Sequence, residues 1–369
     1  MNICHLTSVH SPSDTRIFLK ECRSLQKNGH HVTLVAPQIG DTVVDDIHVI
    51  GFSPVANRFL RMLVHPWKVW GLAVIQKADV YHFHDPELIP VGLFLKMLSK
   101  PVIYDVHESS AADISSKSYL PFLIRRPAAL LVWLFERIGG YVFDGIIAAT
   151  PFIAEPFPKS KTEIVQNFPI IGELTDTIER FDYPGEDRII YMGSLSDIRG
   201  IVELIEALEL LPHGCHTKLV LVGRFSDTIF ERKLKAMPGW GRVEYHTWQE
   251  RKKLSRLMYR CRLGLILLHP APNHYNAYPN KLFEYMSCGL PVLASDFPLW
   301  RRIVIGCGCG RLVDPTDPQK IAEGITWFIC HPRESLAMGK AGQKAIQEKY
   351  HWGIEEAKLI SFYRKMDGQ

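Results

Sequence analysis

Short β-rich runs alternate with helical stretches along all 369 residues, and the alternation starts twice. That pattern belongs to parallel sheets covered by helices on both faces. Strand Ile3 to Ser8, amphipathic helix Asp14 to Asn28 and strand His31 to Ala36 form a first βαβ unit, with Gly29 closing the helix. Further strands are expected at Ile47 to Phe52, Val80 to His84, Val102 to Val106, Gly145 to Ala149 and Glu163 to Asn167. Pro169 to Asp187 is rich in Pro, Gly, Asp and Glu without periodicity and reads as a linker. A second series runs through Arg188 to Met192, Lys218 to Val222, Val243 to His246, Gly264 to Leu268, Val292 to Ser295 and Arg311 to Val313. The predicted organisation is α/β throughout: a doubly wound domain at 1–168, the linker at 169–187 and a second doubly wound domain at 188–345. Terminal helices at 346–369 are expected to pack back toward the first domain.

A chain of this length exceeds what a single core organises, which agrees with two domains. Residues are 47% hydrophobic and 22% charged, the balance of a globular protein. The net charge of +4 comes without a basic run, which argues against a nucleic-acid partner. Cys307 and Cys309 sit in a Gly-Cys-Gly-Cys-Gly stretch that lacks the second pair zinc motifs carry, so reduced thiols are expected. The opening strand lacks the basic and apolar regions of a signal peptide. The most apolar stretches, Leu88 to Leu98 and Ala128 to Phe135, fall short of the roughly 18 residues a spanning helix needs. Arg58 to Lys77 and Lys117 to Arg137 mix basic and aromatic residues in helical segments, a composition that suits an anionic membrane surface or a helix packed on a sheet.

Ligands of open parallel sheets sit beyond the carboxyl ends of the strands, where loops diverge and helix N-termini point inward. Those ends carry Ser8 to His10, His84 with Asp85, His107 with Glu108, Gly193 with Ser194, Arg224, Trp248, His269 and Asp296. The stretch from Pro279 to Asp296 reads PNKLFEYMSCGLPVLASD. A helix starting near Asn280 would offer the amides of Asn280, Lys281 and Leu282 to a phosphate. Glu284, one turn on, has the chemistry to accept two hydrogen bonds from ribose hydroxyls, or else to pair with Lys281 on an exposed face. His82 and His84 share one face of their strand, and Asp14 or Ser13 suits the N-cap of the first helix.

This stretch, with HLTSVHSPSDTRIFLKE, HFHDPELIP, YDVHE and YMGSLSDIRGI in that order, resembles glycosyltransferase family four over essentially the whole chain. The resemblance implies the GT-B fold, two Rossmann-like domains with parallel sheets facing a central cleft that closes on the substrates. It implies a retaining transferase that moves a sugar from a nucleoside-diphosphate sugar, of UDP or GDP type, to a hydroxyl. The acceptor class implied is a glycan or a polyprenyl-diphosphate-linked saccharide, in surface polysaccharide, lipopolysaccharide or capsule synthesis. No cofactor is implied. The implied location is the cytoplasm, with peripheral contact at the inner membrane. The Asp-X-Asp that holds a metal in transferases of the other major fold is absent, so metal-independent transfer is expected.

The site residues carried over by resemblance are as follows: Glu284 matches the second of two family glutamates, while Asn276 stands at the first, so Asn276 or the nearby His274 becomes the expected contact to the donor sugar. Arg199 and Lys281 are assigned to the diphosphate beside Gly193, and Ser194 stands where relatives tend to carry an arginine. Arg224 is expected near the diphosphate or ribose, and the loop at Trp248 at the base. In the first domain His107, with His84, is expected to reach the donor sugar, and Asp85, Glu108 and Arg16 the acceptor or sugar. The groups assigned to catalysis are thus His107, Arg199, Lys281 and Glu284. The competing readings are a nucleotide-sugar 2-epimerase of similar fold and a nucleotide-sugar-binding subunit without catalysis.

Overall fold

Strands of a parallel sheet are buried on both faces and therefore read as continuous apolar runs, as in Ile189-Ile190-Tyr191-Met192 and Leu219 to Val222. The computed structural model describes residues 1–108, 122–174 and 187–367. The chain divides into two compact units, Met1–Asn167 with Trp352–Gln369, and Phe168–His351. The strands are β1 (Asn2–Leu6), β2 (His31–Pro37), β3 (Thr42–Val44), β4 (Ile47–Phe52), β5 (Val80–Phe83), β6 (Val102–Val106), β7 (Gly145–Ala148), β8 (Thr162–Ile164), β9 (Arg188–Leu195), β10 (Lys218–Phe225), β11 (Val243–His246), β12 (Leu263–Ile266), β13 (Val292–Ser295) and β14 (Gly310–Val313). The first helix, α1, is π-wound over Thr15–Cys22 and continues as Arg23–Lys27. The others described are α2 (Arg58–Gln76), α3 (Ile89–Met97), α4 (Phe122–Val142), α5 (Pro151–Ala154), α6 (Ile201–Glu209), α7 (Thr228–Lys235), α8 (Arg251–Tyr259), α9 (Pro272–Tyr275), α10 (Asn280–Ser287), α11 (Pro298–Val304), α12 (Pro318–Cys330), α13 (Pro332–Glu348) and α14 (Trp352–Asp367).

The sheet of the first unit runs β3-β4-β2-β1-β5-β6-β7-β8, parallel except for the antiparallel β3. That short edge strand is absent from the sequence reading, because Thr42 to Val44 is exposed and carries no buried face to detect. The second sheet runs β11-β10-β9-β12-β13-β14, all parallel. Each order reverses once, between β1 and β5 in the first sheet and between β9 and β12 in the second, and these switch points are where such sheets bind ligands.

Two boundaries differ from those expected. Phe168 packs on Phe283 with ring centroids 4.7 Å apart and Leu174 is 1% exposed, so 168–174 opens the core of the second unit and is no linker. Residues 175–186 of that predicted linker lie outside the described residues, as do 117–121 of the basic-aromatic segment. Helix α13 stays with the second unit through Ala345 and Ile346, so the chain crosses at residue 352 rather than 346. Only α14 joins the first unit, where Trp352 Nε1 donates to Ser24 Oγ at 2.9 Å.

Candidate active site

In the second unit the site grows from the carboxyl end of β9. Gly193 and Gly223 are opposite each other in the ladder with φ of +127° and +157°, conformations that side chains avoid. A Cβ on Gly223 would fall 1.8 Å from the Gly193 carbonyl oxygen, so these strands approach this closely because residue 223 is glycine. Tyr285 of α10 ties the helix to β9: its hydroxyl accepts from the Met192 amide at 3.1 Å and donates to the Ile190 oxygen at 3.3 Å. Gly264 makes room for that ring, since a Cβ there would stand 2.4 Å from it.

Clamping α10 in this way carries Lys281 over the Tyr191 ring, with Nζ 3.9 Å from the centroid. Lys281 is 9% exposed, and Nζ has no hydrogen bond or ion pair among the described residues. Burial first and Arg199 second hold its pKa well below the usual lysine range. Arg199 stands half-buried at the end of a 3₁₀ turn, Asp197–Arg199, likewise without a carboxylate partner among the described residues. The same guanidinium adds to the burial that depresses His274, whose Nδ1 lies 2.7 Å from the His269 oxygen. Two adjacent cations in a poorly solvated recess repel each other, and an anion between them removes that cost.

Glu284 points to a different partner from the lysine considered in the sequence. Arg251 Nη1 donates to its Oε1 at 3.1 Å and Arg251 Nη2 to Glu173 Oε2 at 2.9 Å. Arg251 went unnoticed because the three residues are far apart in the chain. Oε2 of Glu284 keeps no hydrogen bond among the described residues and its side chain is 16% exposed, so one oxygen remains for a ligand. Leu282 offers no amide to a phosphate: its N–H donates to the Pro279 oxygen at 2.9 Å and its side chain is in the core. Asn280 and Asn276 are exposed at the two ends of the segment between α9 and α10, and Gly193, Ser194 and Arg224 are exposed along the adjoining strand ends. Trp248 is 63% exposed just past β11.

The first unit concentrates its polar groups on the sheet face that α1 and α14 cover. Asp14 caps α1 by accepting from the amides of Arg16 and Ile17. Arg16 then turns inward. Nε and Nη2 donate to Asp105 at 2.9 and 2.7 Å and Nη1 donates to the Val165 oxygen at 2.8 Å, so Arg16, expected at the ligand, is instead a buried strut. His84, also expected at the sugar, is buried, with Nδ1 3.1 Å from Asp105 Oδ2 and Nε2 2.9 Å from His5 Nδ1. Asp85 is withdrawn as well: it accepts from Ser8 N at 2.6 Å and from Thr7 Oγ1 at 2.7 Å, fixing the turn after β1 to the end of β5. Short strands that place polar residues at their ends do not reveal whether those ends are capped by their own neighbours. His107 does reach the surface, 17% exposed, with Nε2 2.7 Å from Asp105 Oδ2. Asp105 is buried but Arg16 and His107 outweigh the burial and hold its carboxyl well below the usual range. It therefore accepts from His107 Nε2, which leaves Nδ1 of His107 as the lone pair available to a ligand. Glu108 is exposed beside it.

His10 approaches Asp14 at 3.3 Å and Asp85 at 3.4 Å. Burial opposes its charge, but Asp14, Asp85 and Asp105 together lift its pKa to about 9. A raised histidine pKa stabilises the fold fully below the unfolded value of ~6.5 and loses that contribution as pH rises through the folded one. The melting temperature should therefore fall between pH 7 and pH 10 in the wild type, and the His10→Asn variant should lack that component. Parallel pH profiles for the two proteins would contradict the assignment.

The second of the two doubly wound α/β units thus brings Lys281 and Arg199 together at its switch point, with no ion-pair partner for either among the described residues. The family model described as glycosyl transferases group 1 matches residues 177–345, and that of glycosyltransferase family 4 matches residues 15–167. The chain belongs to glycosyltransferase family four, is a glycosyltransferase of the group 1 type, and has the GT-B fold. Among curated proteins it is 21% identical to the phosphatidyl-myo-inositol mannosyltransferase of Mycolicibacterium smegmatis, over 93% of this chain and 88% of that one. It is 20% identical to the GDP-mannose:cellobiosyl-diphosphopolyprenol alpha-mannosyltransferase of Xanthomonas campestris, over 79% and 75% of the respective chains. Among solved structures, sucrose-phosphate synthase from Thermosynechococcus elongatus superposes with a TM-score of 0.77 at 17% identity, covering all of both chains. HepE of Anabaena, solved with UDP, superposes with a TM-score of 0.71 at 17% identity over 99% of this chain and 100% of that one.

Proposed function

We propose that the protein transfers a sugar, with retention of configuration, from a nucleoside-diphosphate sugar to a hydroxyl of a glycan or lipid-linked saccharide. The observation that carries this reading is the cation pair of Lys281 and Arg199, unpaired among the described residues. A diphosphate supplies the missing negative charge. As the bond from the anomeric carbon to the diphosphate oxygen breaks, charge accumulates on the leaving group and both cations stabilise it without a metal ion. The acceptor oxygen then bonds to the anomeric carbon, and its proton passes to the departing phosphate oxygen. The products are a glycoside and a nucleoside diphosphate. Glu284 Oε2 accepts from the ribose hydroxyls, Arg251 holds the carboxylate in place, and Asn276 serves the donor sugar. His107, oriented by Asp105, offers Nδ1 to a sugar hydroxyl. Its relatives support a nucleotide sugar as donor and a lipid-linked acceptor, since one is a GDP-mannose:cellobiosyl-diphosphopolyprenol mannosyltransferase and another was solved with UDP.

Release of nucleoside diphosphate should depend on added acceptor; interconversion of a nucleotide sugar with no acceptor present would identify an epimerase instead. Glu284→Ala should weaken nucleotide binding by roughly 10–100-fold, the equivalent of hydrogen bonds to a charged group, while Glu284→Gln retains part of it. Unchanged affinity of Glu284→Ala in calorimetric titration with UDP and GDP would remove the ribose assignment.

The acceptor class is also supported by one face of the first unit. Helices α2, α3 and α4 expose Phe59, Leu63, Trp67, Met97, Leu130 and Tyr141, beside the half-buried Arg61 and Lys68 of α2, whose lysine Nζ donates to the Ser53 oxygen at 3.2 Å. Apolar and basic side chains in one layer suit the interface of an anionic bilayer. No helix among the described residues is long and apolar enough to cross a membrane. The protein should cosediment with vesicles containing phosphatidylglycerol and less with pure phosphatidylcholine, and Trp67→Glu should abolish the difference. Sedimentation of the variant with the phosphatidylglycerol vesicles to the wild-type extent would rule the face out.

A further inference from the structure

The first unit encloses a polar chamber that the transfer reaction leaves unused. His5 of β1 and His82 of β5 are register partners on one sheet face, and α1 lays Glu21 onto that face. All three are completely buried. Among the described residues His5 Nε2 and His82 Nε2 have no hydrogen-bond partner, and the Glu21 carboxylate adjoins Arg16 and Asp105. Taking one ligand atom from each, His5, Glu21, His82 and His84 lie within 4.8 Å of one another.

The surrounding hydrogen bonds decide which nitrogens face inward. Asp105 accepts from His84 Nδ1, so His84 Nε2 is an acceptor, and His5 Nδ1 at 2.9 Å must donate to it. His5 Nε2 is then a bare lone pair. His82 Nδ1 lies 2.8 Å from the Tyr363 hydroxyl, and donation to that oxygen leaves His82 Nε2 bare as well. Imidazoles anchored through one nitrogen and bare at the other are the arrangement of metal-ligating histidines with their outer partners in place. Glu21 Oε1 stands 3.1 Å from Arg16 Nε and Oε2 4.0 Å from His84 Nδ1.

We propose that this chamber binds one divalent transition-metal ion of the zinc type through His5 Nε2, His82 Nε2 and the carboxylate of Glu21. Nitrogen and oxygen donors around tetrahedral zinc stand about 3.3 Å apart, so the chamber contracts only modestly on loading. Two imidazoles with one carboxylate favour such an ion over magnesium or calcium, which take oxygen ligands. The competing occupant is a water molecule hydrogen-bonded to the same lone pairs. Because the ligands are sealed between the sheet, α1 and α14, the ion is structural: it pins α1 to the sheet and enters as the unit folds.

The full chain, expressed with zinc in the medium and freed of any histidine tag, is passed through chelator-treated buffer and its metal measured by plasma mass spectrometry. About one ion per chain is expected, with an absorption-edge spectrum showing two imidazoles and no sulfur. His82→Gln and Glu21→Gln should lose the ion. Zinc content near zero in the wild type overturns the proposal, as does a full ion content in His82→Gln. Should the variants fail to fold, the wild-type spectrum decides: a sulfur shell, or none of the scattering from paired imidazoles, overturns it.

Discussion

Lys281→Met should lower kcat by ~10²–10³-fold, the effect of removing one preorganised charge from a developing anion. Methionine keeps the stem that packs against Tyr191, so the fold should survive and the loss should report on charge alone. Arg199 remains in the variant but is half-exposed, and a screened cation cannot replace one held in a recess. The buried lysine makes a second, coupled claim. Its depressed pKa has burial as the main cause and Arg199 as the next, and a bound diphosphate counteracts both. Nucleotide binding should therefore take up protons at pH values above the depressed lysine pKa, with affinity falling as pH rises there, and Lys281→Met should lose that dependence. Calorimetry in buffers of different ionisation enthalpy measures the uptake. Turnover close to the wild-type rate, or identical proton uptake in the variant, would sink the cation-pair assignment.

Arg16→Met should destabilise the first unit by about 3–5 kcal/mol, the usual result of deleting one partner of a buried ion pair. Asp105 would keep its charge while losing two hydrogen bonds from Arg16, and the carbonyl of Val165 would lose its donor. A unit of this size then melts roughly 10 °C lower. Arg16→Lys should recover only part of that, because a point charge cannot reproduce the planar fork. Nucleotide affinity gives the control: the donor residues belong to the second unit and should bind UDP or GDP at near wild-type strength below the new melting temperature. A variant with unchanged melting temperature and impaired sugar transfer would instead return Arg16 to the substrate.

Much of this architecture was legible in the chain itself. Period-two and continuous apolar runs reveal strands that are buried on both faces, and β4, β6, β11 and β13 begin and end at the residues expected. β3 escaped because an exposed edge strand leaves no apolar trace. Gly193 and Lys281 stood out by position at a strand end and a helix start, where phosphate chemistry is built from local geometry. The Arg251 bridge between Glu173 and Glu284, and the Tyr285 clamp on β9, had no comparable mark, since each joins segments that no periodicity relates.

By itself, the sequence determined the two parallel sheets and the polar residues delivered to the strand ends, because alternation and helix start signals are local, whereas the switch points came with the strand order. Tertiary structure alone decided which of those polar residues meet solvent. Arg16, His84 and Asp85 face partners supplied by other strands, so their donors and acceptors are spent internally, whereas Lys281 lies against an aromatic ring with its charge uncompensated among the described residues. A side chain's availability depends on what long-range packing places within three ångströms of it, and neighbours distant in sequence leave no imprint on local pattern.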